Sequence, residues 1–238
     1  MLYFVGIGFR EDDVSVRGLE VIKSCDYVYL DNYTSIGCDV KKLEKFYGKK
    51  IILADRNLVE GTDEIVSRAE KSKVCFLVFG DIFSATTHVD LLMRAKKVEF
   101  IHGPSILTAV GVTGLSLYKF GAVVSIPFDL KVKSPVDVFK KNFKNGLHTL
   151  FLLDLDPSGG KFLSISEACK YLVSNKVSKD SLAVGCVRLG FKDFEIKVGK
   201  LKELVKFKSS KFPQCLIVPG KMHFMEEDVL REFWKKNK

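Results

Sequence analysis

The chain has 238 residues, and 47% of them are hydrophobic, which is enough to build the core of one large domain or of two small ones. Its longest apolar runs, VCFLVF and LFLL, are far too short to span a bilayer. The formal net charge of +9 allows nucleic acid or a large acidic protein as a partner, although a solvated basic surface is the simpler interpretation.

The cysteines and histidines do not follow metal-binding spacings. None of the six cysteines forms a Cys-x-x-Cys pair, and several lie in apolar segments, which is typical of buried, reduced thiols in a cytoplasmic protein. The four histidines show no His-x-x-x-His spacing. We therefore predict no metal site.

The first half of the chain alternates predicted strands and helices. MLYFVGIG has no basic residues before its apolar run, so it predicts a first strand rather than a signal peptide. Helical spacing predicts a helix over VSVRGLEVIKSC, capped by Asp13 or Ser15. Further strands are predicted at DYVYLD, KKIILA, VCFLVF and VEFIH, and helices at DEIVSRAEKS and HVDLLMRAKK. This order predicts an α/β fold with a mostly parallel sheet and helices on both faces.

The second half changes character. A helix interrupted by glycines is predicted over SILTAVGVTGLSLYKFG, and residues 129–135 are predicted to form a surface loop. Strands are predicted at AVVSIPF, HTLFLLDLD, SLAVGCVRLG, FEIKVGKL and QCLIVPG, with strong helices only at SISEACKYLVSN and MEEDVLREFWKK. We predict a mixed α+β second domain and a boundary near Gly121, which gives domains of residues 1–121 and 122–238.

Two glycines follow the first predicted strand as Gly6-x-Gly8. The dinucleotide-binding fingerprint needs a third glycine, and Glu11 occupies that position. The two glycines therefore indicate a close backbone approach or a tight turn of another kind.

The stretch GDIFSATTH, residues 80–88, follows a buried strand at the point where open α/β sheets bind ligands. Asp81 could accept hydrogen bonds from a ligand, although a turn or cap explains it equally well. Thr86 or Thr87 could cap the next helix. A second polar turn contains Ser105, and the two turns could line one pocket.

Six blocks in this order resemble the diphthine synthases, which belong to the tetrapyrrole-methylase-like class of S-adenosylmethionine-dependent methyltransferases. They are MLYFVGIG, GLEVIKSCDYVYLDNYTS, GDIFSATTH, IHGPSILTAVGVTGLSLYKFG, GLHTLFLLD and LIVPGKMH. The resemblance implies a two-domain tetrapyrrole-methylase-like fold that binds S-adenosylmethionine in the cleft between its domains. It also implies a homodimer in the cytoplasm.

The resemblance further implies which residues contact the cofactor. They come from turns in both domains: Phe9, Asp81, Ser84, Ser105, Ile106, Leu153, Leu189 and Cys215. The chain departs from the family at Ile82, where proline is usual, and at Phe9, where the first turn often carries leucine. It also departs at Cys215, where many members carry histidine.

The implied reaction is methyl transfer to a 3-amino-3-carboxypropyl group on a histidine of translation elongation factor 2. KFYGKKIILADRNLVE looks closer to the eukaryotic members, which are associated with four transfers and a methyl ester product. The reaction requires no metal, membrane or nucleic acid, and the sequence singles out no base. Two alternatives remain open, a non-catalytic basic binding module and a methyltransferase that acts on a tetrapyrrole or another small molecule.

Overall fold

A computed structural model describes residues 1–84, 89–157 and 159–234 of the chain. Its contacts divide the chain into two compact units, Met1–Leu107 with Asp156–Gly160 and Thr108–Leu155 with Lys161–Lys238. The predicted boundary near Gly121 falls inside the second unit, so the proposed division into two folding domains stays a prediction. No helix in the described part of the chain is long and apolar enough to cross a membrane.

The first unit is built on a fully parallel sheet. Its strands are β1 (Leu2–Gly6), β2 (Tyr27–Asp31), β3 (Ile52–Ala54), β4 (Val74–Val78) and β5 (Val98–Ile101). They lie in the order β3-β2-β4-β1-β5. Leu2 of β1, which lies between β4 and β5, is opposite Val74 of β4 and Val98 of β5, so these three strands are in register. Their carboxyl ends therefore meet at one edge of the sheet.

Helices cover both faces of this sheet. They are α1 (Val16–Ser24), α2 (Val40–Tyr47), α3 (Arg56–Glu60), α4 (Glu64–Lys71) and α5 (Val89–Arg94). Side chains alternate along a strand, so Phe76 of β4 packs in one core cluster with Ile65 of α4. Its neighbour Leu77 packs in another cluster with Ile22 of α1 and Leu43 of α2. The predicted α/β layers are confirmed, and Ser15 is the residue that caps α1.

The rest of the chain contains a mixed sheet. The strands are β6 (Val124–Ile126), β7 (Thr149–Leu153), β8 (Leu155–Asp156), β9 (Lys161–Phe162), β10 (Leu182–Val187), β11 (Glu195–Lys200) and β12 (Gln214–Val218). Five of them form a sheet in the order β11-β10-β12-β7-β6. Only the β6–β7 pair in this sheet is parallel. This arrangement confirms the predicted mixed second half.

The remaining helices follow β5 in the chain. They are α6 (Ile106–Ala109), α7 (Ser134–Lys144), α8 (Ile165–Ser174), α9 (Leu201–Leu204) and α10 (Phe224–Asp228), which continues as a π-helical segment over Val229–Trp234. Phe139 of α7 and Leu172 of α8 lie in one core cluster with Phe151 and Leu216 of the sheet. The prediction of only two strong helices in this half was wrong, because α7 is an eleven-residue helix.

The long helix predicted after Ser105 is also replaced by shorter pieces. Helix α6 has four residues, and 3₁₀ turns follow at Val110–Thr113 and Leu117–Lys119. Gly114 has a left-handed backbone with φ of 87°, which ends the first 3₁₀ turn. A Cβ at this glycine would lie 2.3 Å from a methyl carbon of Val229, so the Val229 side chain occupies the space that a side chain on Gly114 would need.

Candidate functional site

Four glycines bring the loops at the carboxyl ends of β1, β4 and β5 into direct backbone contact. A Cβ on Gly6 would lie 2.7 Å from both the amide nitrogen of Gly103 and the carbonyl oxygen of Gly80. Gly8 donates to the Gly80 carbonyl at 3.1 Å, and Gly80 donates back to the Gly8 carbonyl at 2.7 Å. These contacts confirm the close backbone approach that the sequence indicated at Gly6 and Gly8. No side chain can separate the three loops here.

Gly80 differs from Gly6 and Gly103 because little of the described chain surrounds the position of its missing side chain. Its φ of +82° is in the left-handed region that favours glycine. Among the described residues, a Cβ at Gly80 would meet one atom within 4 Å, the carbonyl oxygen of Pro104 at 3.9 Å. A ligand can therefore approach the backbone at Gly80 closely.

The buried carboxylate of Asp81 ties two of these loops together. Its Oδ1 accepts the Phe83 backbone N–H at 2.9 Å, which fixes the turn after Gly80. Its Oδ2 accepts the Gly103 backbone N–H at 3.2 Å and lies 2.8 Å from Nδ1 of His102. Asp81 is therefore a bridge between the loops after β4 and β5.

The same contacts keep Asp81 ionised. Burial acts to raise the pKa of this carboxyl, but the Phe83 N–H, the His102 ring and the Gly103 N–H outweigh it and lower the pKa. A carboxylate has about four acceptor positions, so three local partners leave room for one more hydrogen bond. An anion at this edge suits a positively charged ligand.

The other first-unit residues predicted to bind the cofactor lie in the same loops. Phe9 is buried after β1, and its N–H donates to Asp13 Oδ2 at 3.0 Å. Ser84 is half-buried, and its N–H donates to the Asp81 carbonyl at 3.1 Å. Ser105 is buried and its Oγ accepts the Leu107 N–H at 3.1 Å, just before half-buried Ile106 begins α6. All five predicted residues thus share one edge of the first sheet.

The three second-unit residues also share one edge of their sheet. Val187, at the end of β10, lies opposite Gln214 at the start of β12. Cys215 of β12 lies opposite Leu152, one residue before Leu153 at the end of β7. Leu189 lies two residues after the end of β10, so the antiparallel register brings Leu153, Leu189 and Cys215 to the same end of adjacent strands.

Leu153, Leu189 and Cys215 differ in which face of the sheet or which turn they occupy, and therefore in how they could contact a ligand. All three are buried, and Leu153 packs in the core cluster of the second unit. Cys215 and Leu153 belong to opposite faces of the sheet, because successive side chains along β7 alternate. A ligand at this edge would therefore meet the backbone of at least one of them. Leu189 lies between Arg188 and Gly190, both at positive φ, which places it in a sharp turn.

Burial keeps several thiols of the described chain in their protonated form. Burial raises the pKa of Cys38 and of Cys169 to about 12, and the pKa of Cys75 is also raised. The described residues contain no group of three His, Cys, Asp or Glu side chains that could hold a metal ion. Thr86 and Thr87, which the sequence suggested as helix caps, lie outside the described residues.

His102 is the residue of this site that sequence reasoning missed. It follows β5 directly, where the carboxyl ends of parallel strands place ligand-binding groups, and only two residues separate it from Ser105. That position was the available signal. No local pattern pairs His102 with Asp81, because the two are 21 residues apart.

The first unit has a fully parallel sheet with glycine-rich loops at its carboxyl edge, and the second unit has a mixed sheet. Together these two units define a class of two-unit α/β enzymes. The family profile for Tetrapyrrole (Corrin/Porphyrin) Methylases matches residues 1–205. The chain belongs to this family, and it is a methyltransferase. Methyltransferases of this family use S-adenosylmethionine as the methyl donor.

Known relatives of the chain carry a common name. Diphthine methyl ester synthase from Kluyveromyces lactis is 40% identical, with 98% of this chain and 90% of the relative covered. Diphthine synthase from Methanosarcina mazei is 41% identical, with 97% and 94% covered. A solved crystal structure of a diphthine synthase superposes with a TM-score of 0.92 at 35% identity, covering 98% of this chain and 96% of that one. The relatives bear out the resemblance to diphthine synthases and place the enzyme in diphthamide biosynthesis.

Proposed function

We propose that this enzyme transfers methyl groups from S-adenosylmethionine to the 3-amino-3-carboxypropyl group of a modified histidine on translation elongation factor 2. The observation that carries the proposal is the near full-length match to relatives named diphthine synthase and diphthine methyl ester synthase. The shared edge of β1, β4 and β5 supports it, because it gathers the loops that such a cofactor needs. The +9 charge suits docking of a large protein substrate.

The cofactor would be held by Phe9, Asp81, Ser84, Ser105 and Ile106 in the first unit. The residues present fit this group: Gly80 leaves its backbone open on one side, and ionised Asp81 favours a cationic ligand. We assign the remaining contacts in the second unit to Leu153, Leu189 and Cys215. Those contacts come largely from backbone and shape, since these side chains are apolar or weakly polar.

The chemistry needs little from the protein beyond alignment. S-adenosylmethionine supplies a methyl group on a sulfonium, which is already a good leaving group. The loops around Gly6, Gly80 and Gly103 hold their geometry through backbone contacts, so they offer a rigid frame on which to orient cofactor and amine. Buried Phe9 and Ile82 help to exclude water from the site.

We further propose four methyl transfers, three to nitrogen and one to the carboxylate. The identities of about 40% to both a yeast ester synthase and an archaeal diphthine synthase leave the count open, so it rests on the likeness of KFYGKKIILADRNLVE to eukaryotic members. A carboxylate oxygen is a nucleophile at neutral pH, so the last step needs only that the substrate turns its other end toward the methyl group.

The test is incubation of the protein with S-adenosylmethionine and elongation factor 2 that carries the unmethylated intermediate, followed by mass analysis of the modified peptide. Four added methyl groups, one of them lost in mild alkali, would support the full proposal. Three alkali-stable methyl groups would contradict only the ester step. No transfer, with S-adenosylmethionine bound, would overturn the assigned substrate.

We also propose that the enzyme works in the cytoplasm as a homodimer. Exposed apolar side chains in the second unit support an interface there, since Tyr118 is fully exposed and Leu117, Phe224 and Met225 are also exposed. Ser116 N–H donates to Glu226 of α10, so these side chains belong to neighbouring segments. Sedimentation should give about twice the chain mass of 26.8 kDa, and a single species at that chain mass would contradict the dimer.

A further inference from the structure

His102 combines a buried partner with an exposed ring. Its Nδ1 lies 2.8 Å from Asp81 Oδ2, and its side chain is 68% exposed whereas that of Asp81 is only 10% exposed. The far side of the ring is therefore open at the edge that also carries Ser84 and Ser105. The Phe83 ring flanks it, with 5.8 Å between ring centroids.

The hydrogen bond to Asp81 sets the tautomer of His102. An ionised carboxylate can only accept, so the proton of the neutral ring lies on Nδ1. Nε2 then carries a lone pair on the exposed side of the ring. The Phe83 and Gly103 N–H groups hold the carboxylate in place, and the carboxylate in turn orients the ring.

The proposed reaction needs a proton acceptor for methyl transfer to nitrogen but not for methyl transfer to the carboxylate. An aliphatic amine is mostly an ammonium at neutral pH, and it can attack a methyl group only after it loses a proton. Three transfers to one nitrogen therefore each require a deprotonation. Transfer to the carboxylate requires none, because that oxygen is already anionic.

We propose that His102, oriented by Asp81, accepts the amine proton before each methyl transfer to nitrogen. This inference rests on the proposed function and assigns the base that the sequence does not identify. In each cycle the ammonium gives its proton to Nε2, and the nitrogen lone pair forms the bond to the methyl carbon. The carbon–sulfur bond breaks with its electron pair on sulfur, and His102 passes the proton to solvent. Asp81 stabilises the imidazolium that forms in between.

Other ionisable groups of the first unit are less suited to this role. Burial raises the pKa of Tyr29 to about 12 and the pKa of Cys38 to about 12, so both hold their own protons at neutral pH. Asp81 has a lowered pKa, which makes it a weak base. Histidine is the side chain that ordinarily exchanges a proton near neutral pH.

Among the described residues, Asp81 is the ionisable group that contacts the His102 ring, and the nearby charged groups of the loop after β1, of α1 and of β5 form ion pairs of their own. Arg10, in the loop after β1, pairs with Asp13 at 3.2 Å. Arg17 of α1 pairs with Glu99 of β5 at 2.5 Å. A pH dependence that disappears with the His102 ring would therefore belong to the His102–Asp81 pair.

The test compares His102→Gln with the wild type and with His223→Gln. A glutamine amide can still donate to Asp81 but cannot take up a proton at neutral pH. His223 is an exposed residue that caps α10, so its replacement controls for the loss of an imidazole elsewhere. Single-turnover rates are measured from about pH 6 to about pH 9 on two substrates. One is elongation factor 2 with the unmethylated intermediate, and the other is the same protein already trimethylated on nitrogen.

We expect His102→Gln to slow the first methyl transfer to nitrogen by roughly 100-fold or more and to remove one ionisation from its pH profile. Transfer to the carboxylate of the trimethylated substrate and S-adenosylmethionine affinity should stay within about twofold of wild type, and His223→Gln should behave as wild type. Equal loss on both substrates would show a structural role and overturn the inference, as would unchanged nitrogen transfer. Absence of any transfer by the wild-type enzyme would instead overturn the proposed function, and the inference with it.

Discussion

His148 donates through Nε2 to the carboxylate of Glu226, with 3.0 Å between the atoms, and both side chains are buried. The Gly220 N–H donates to His148 Nδ1 at 3.0 Å, which fixes the ring as the neutral Nε2–H tautomer. Glu226 also accepts from Lys119 Nζ at 2.8 Å and from the Ser116 N–H at 2.8 Å. This network joins the 3₁₀ turns, the start of β7 and helix α10 within the second unit.

Removal of the Glu226 carboxylate should destabilise the second unit. Glu226→Ala leaves the buried His148 and the ammonium of Lys119 without their anion, so we expect a loss of about 3 kcal/mol in the free energy of unfolding. Glu226→Gln keeps an acceptor oxygen and should lose less. Glu227→Gln changes an exposed neighbour on the same helix and should change stability by less than about 0.5 kcal/mol. Urea unfolding of the three variants measures this, and equal stability of Glu226→Ala and Glu227→Gln would contradict it.

The same pair predicts acid sensitivity in two stages. Burial lowers the pKa of His148, so the folded state holds fewer protons than the unfolded state as pH falls below the ordinary histidine value. Burial acts to raise the pKa of Glu226, but the hydrogen bonds that its carboxylate accepts, first among them that from Lys119, outweigh burial and lower the pKa from 4.5 to about 2. Both shifts have the same sign, so the free energy of unfolding should fall below about pH 6.5 and again between about pH 4.5 and pH 2. His148→Gln should flatten the first stage in unfolding curves taken across that range, and an unchanged slope would count against the assignment.

The glycine contact at the candidate site gives a steric prediction. A Cβ at Gly103 would lie 2.5 Å from the Gly6 carbonyl oxygen and 2.7 Å from that of Gly80, and neither backbone can rotate away as a side chain could. Gly103→Ala should therefore cost about 3 kcal/mol of stability or more and should weaken cofactor binding with it. Gly111→Ala is the control, because its Cβ would meet only Leu117 at an ordinary 3.7 Å. Equal thermal unfolding midpoints for the two variants would contradict the tight backbone contact at Gly103.

The sequence was informative where a local pattern decides the structure. The alternation of apolar runs and helical spacing predicted the parallel sheet, and Ser15 and the two N-terminal glycines were identified because their roles depend on adjacent residues. Prediction from the sequence failed where contacts between residues far apart in the chain determine the structure. Helix α7 was missed although Pro135 lies in its first turn, since a lysine-rich stretch resembles a loop until its apolar face meets a sheet.

The same distinction holds for the candidate site. Strand order placed the loops after β1, β4 and β5 together, and this could be expected of any parallel sheet. The hydrogen bond between Asp81 and His102 depends on the exact lengths of two loops, and no local pattern encodes it. Leu153 and Leu189 looked like core residues, and their place at one sheet edge follows only from the antiparallel register around β12.

Asp81 should matter to both the cofactor and the fold, and the two effects can be separated. Its carboxylate accepts from Phe83 and Gly103 and contacts His102, so Asp81→Ala should cost stability as well as a contact to S-adenosylmethionine. We expect cofactor affinity to fall by an amount typical of a lost charge-assisted hydrogen bond, about 1.5–3 kcal/mol, which is roughly 10- to 150-fold.

The control for Asp81→Ala is Asp55→Ala in the same unit. Asp55 caps α3 by accepting the Leu58 N–H at 2.8 Å, so its loss should lower stability by about 1 kcal/mol and leave cofactor affinity unchanged. Calorimetric titration with S-adenosylmethionine, well below both thermal midpoints, compares the two variants while each is folded. Weaker binding in Asp81→Ala alone would assign the effect to the site. Equal binding in both variants would show that Asp81 serves only to join its two loops, and the cofactor would then have to be held by the backbone around Gly80.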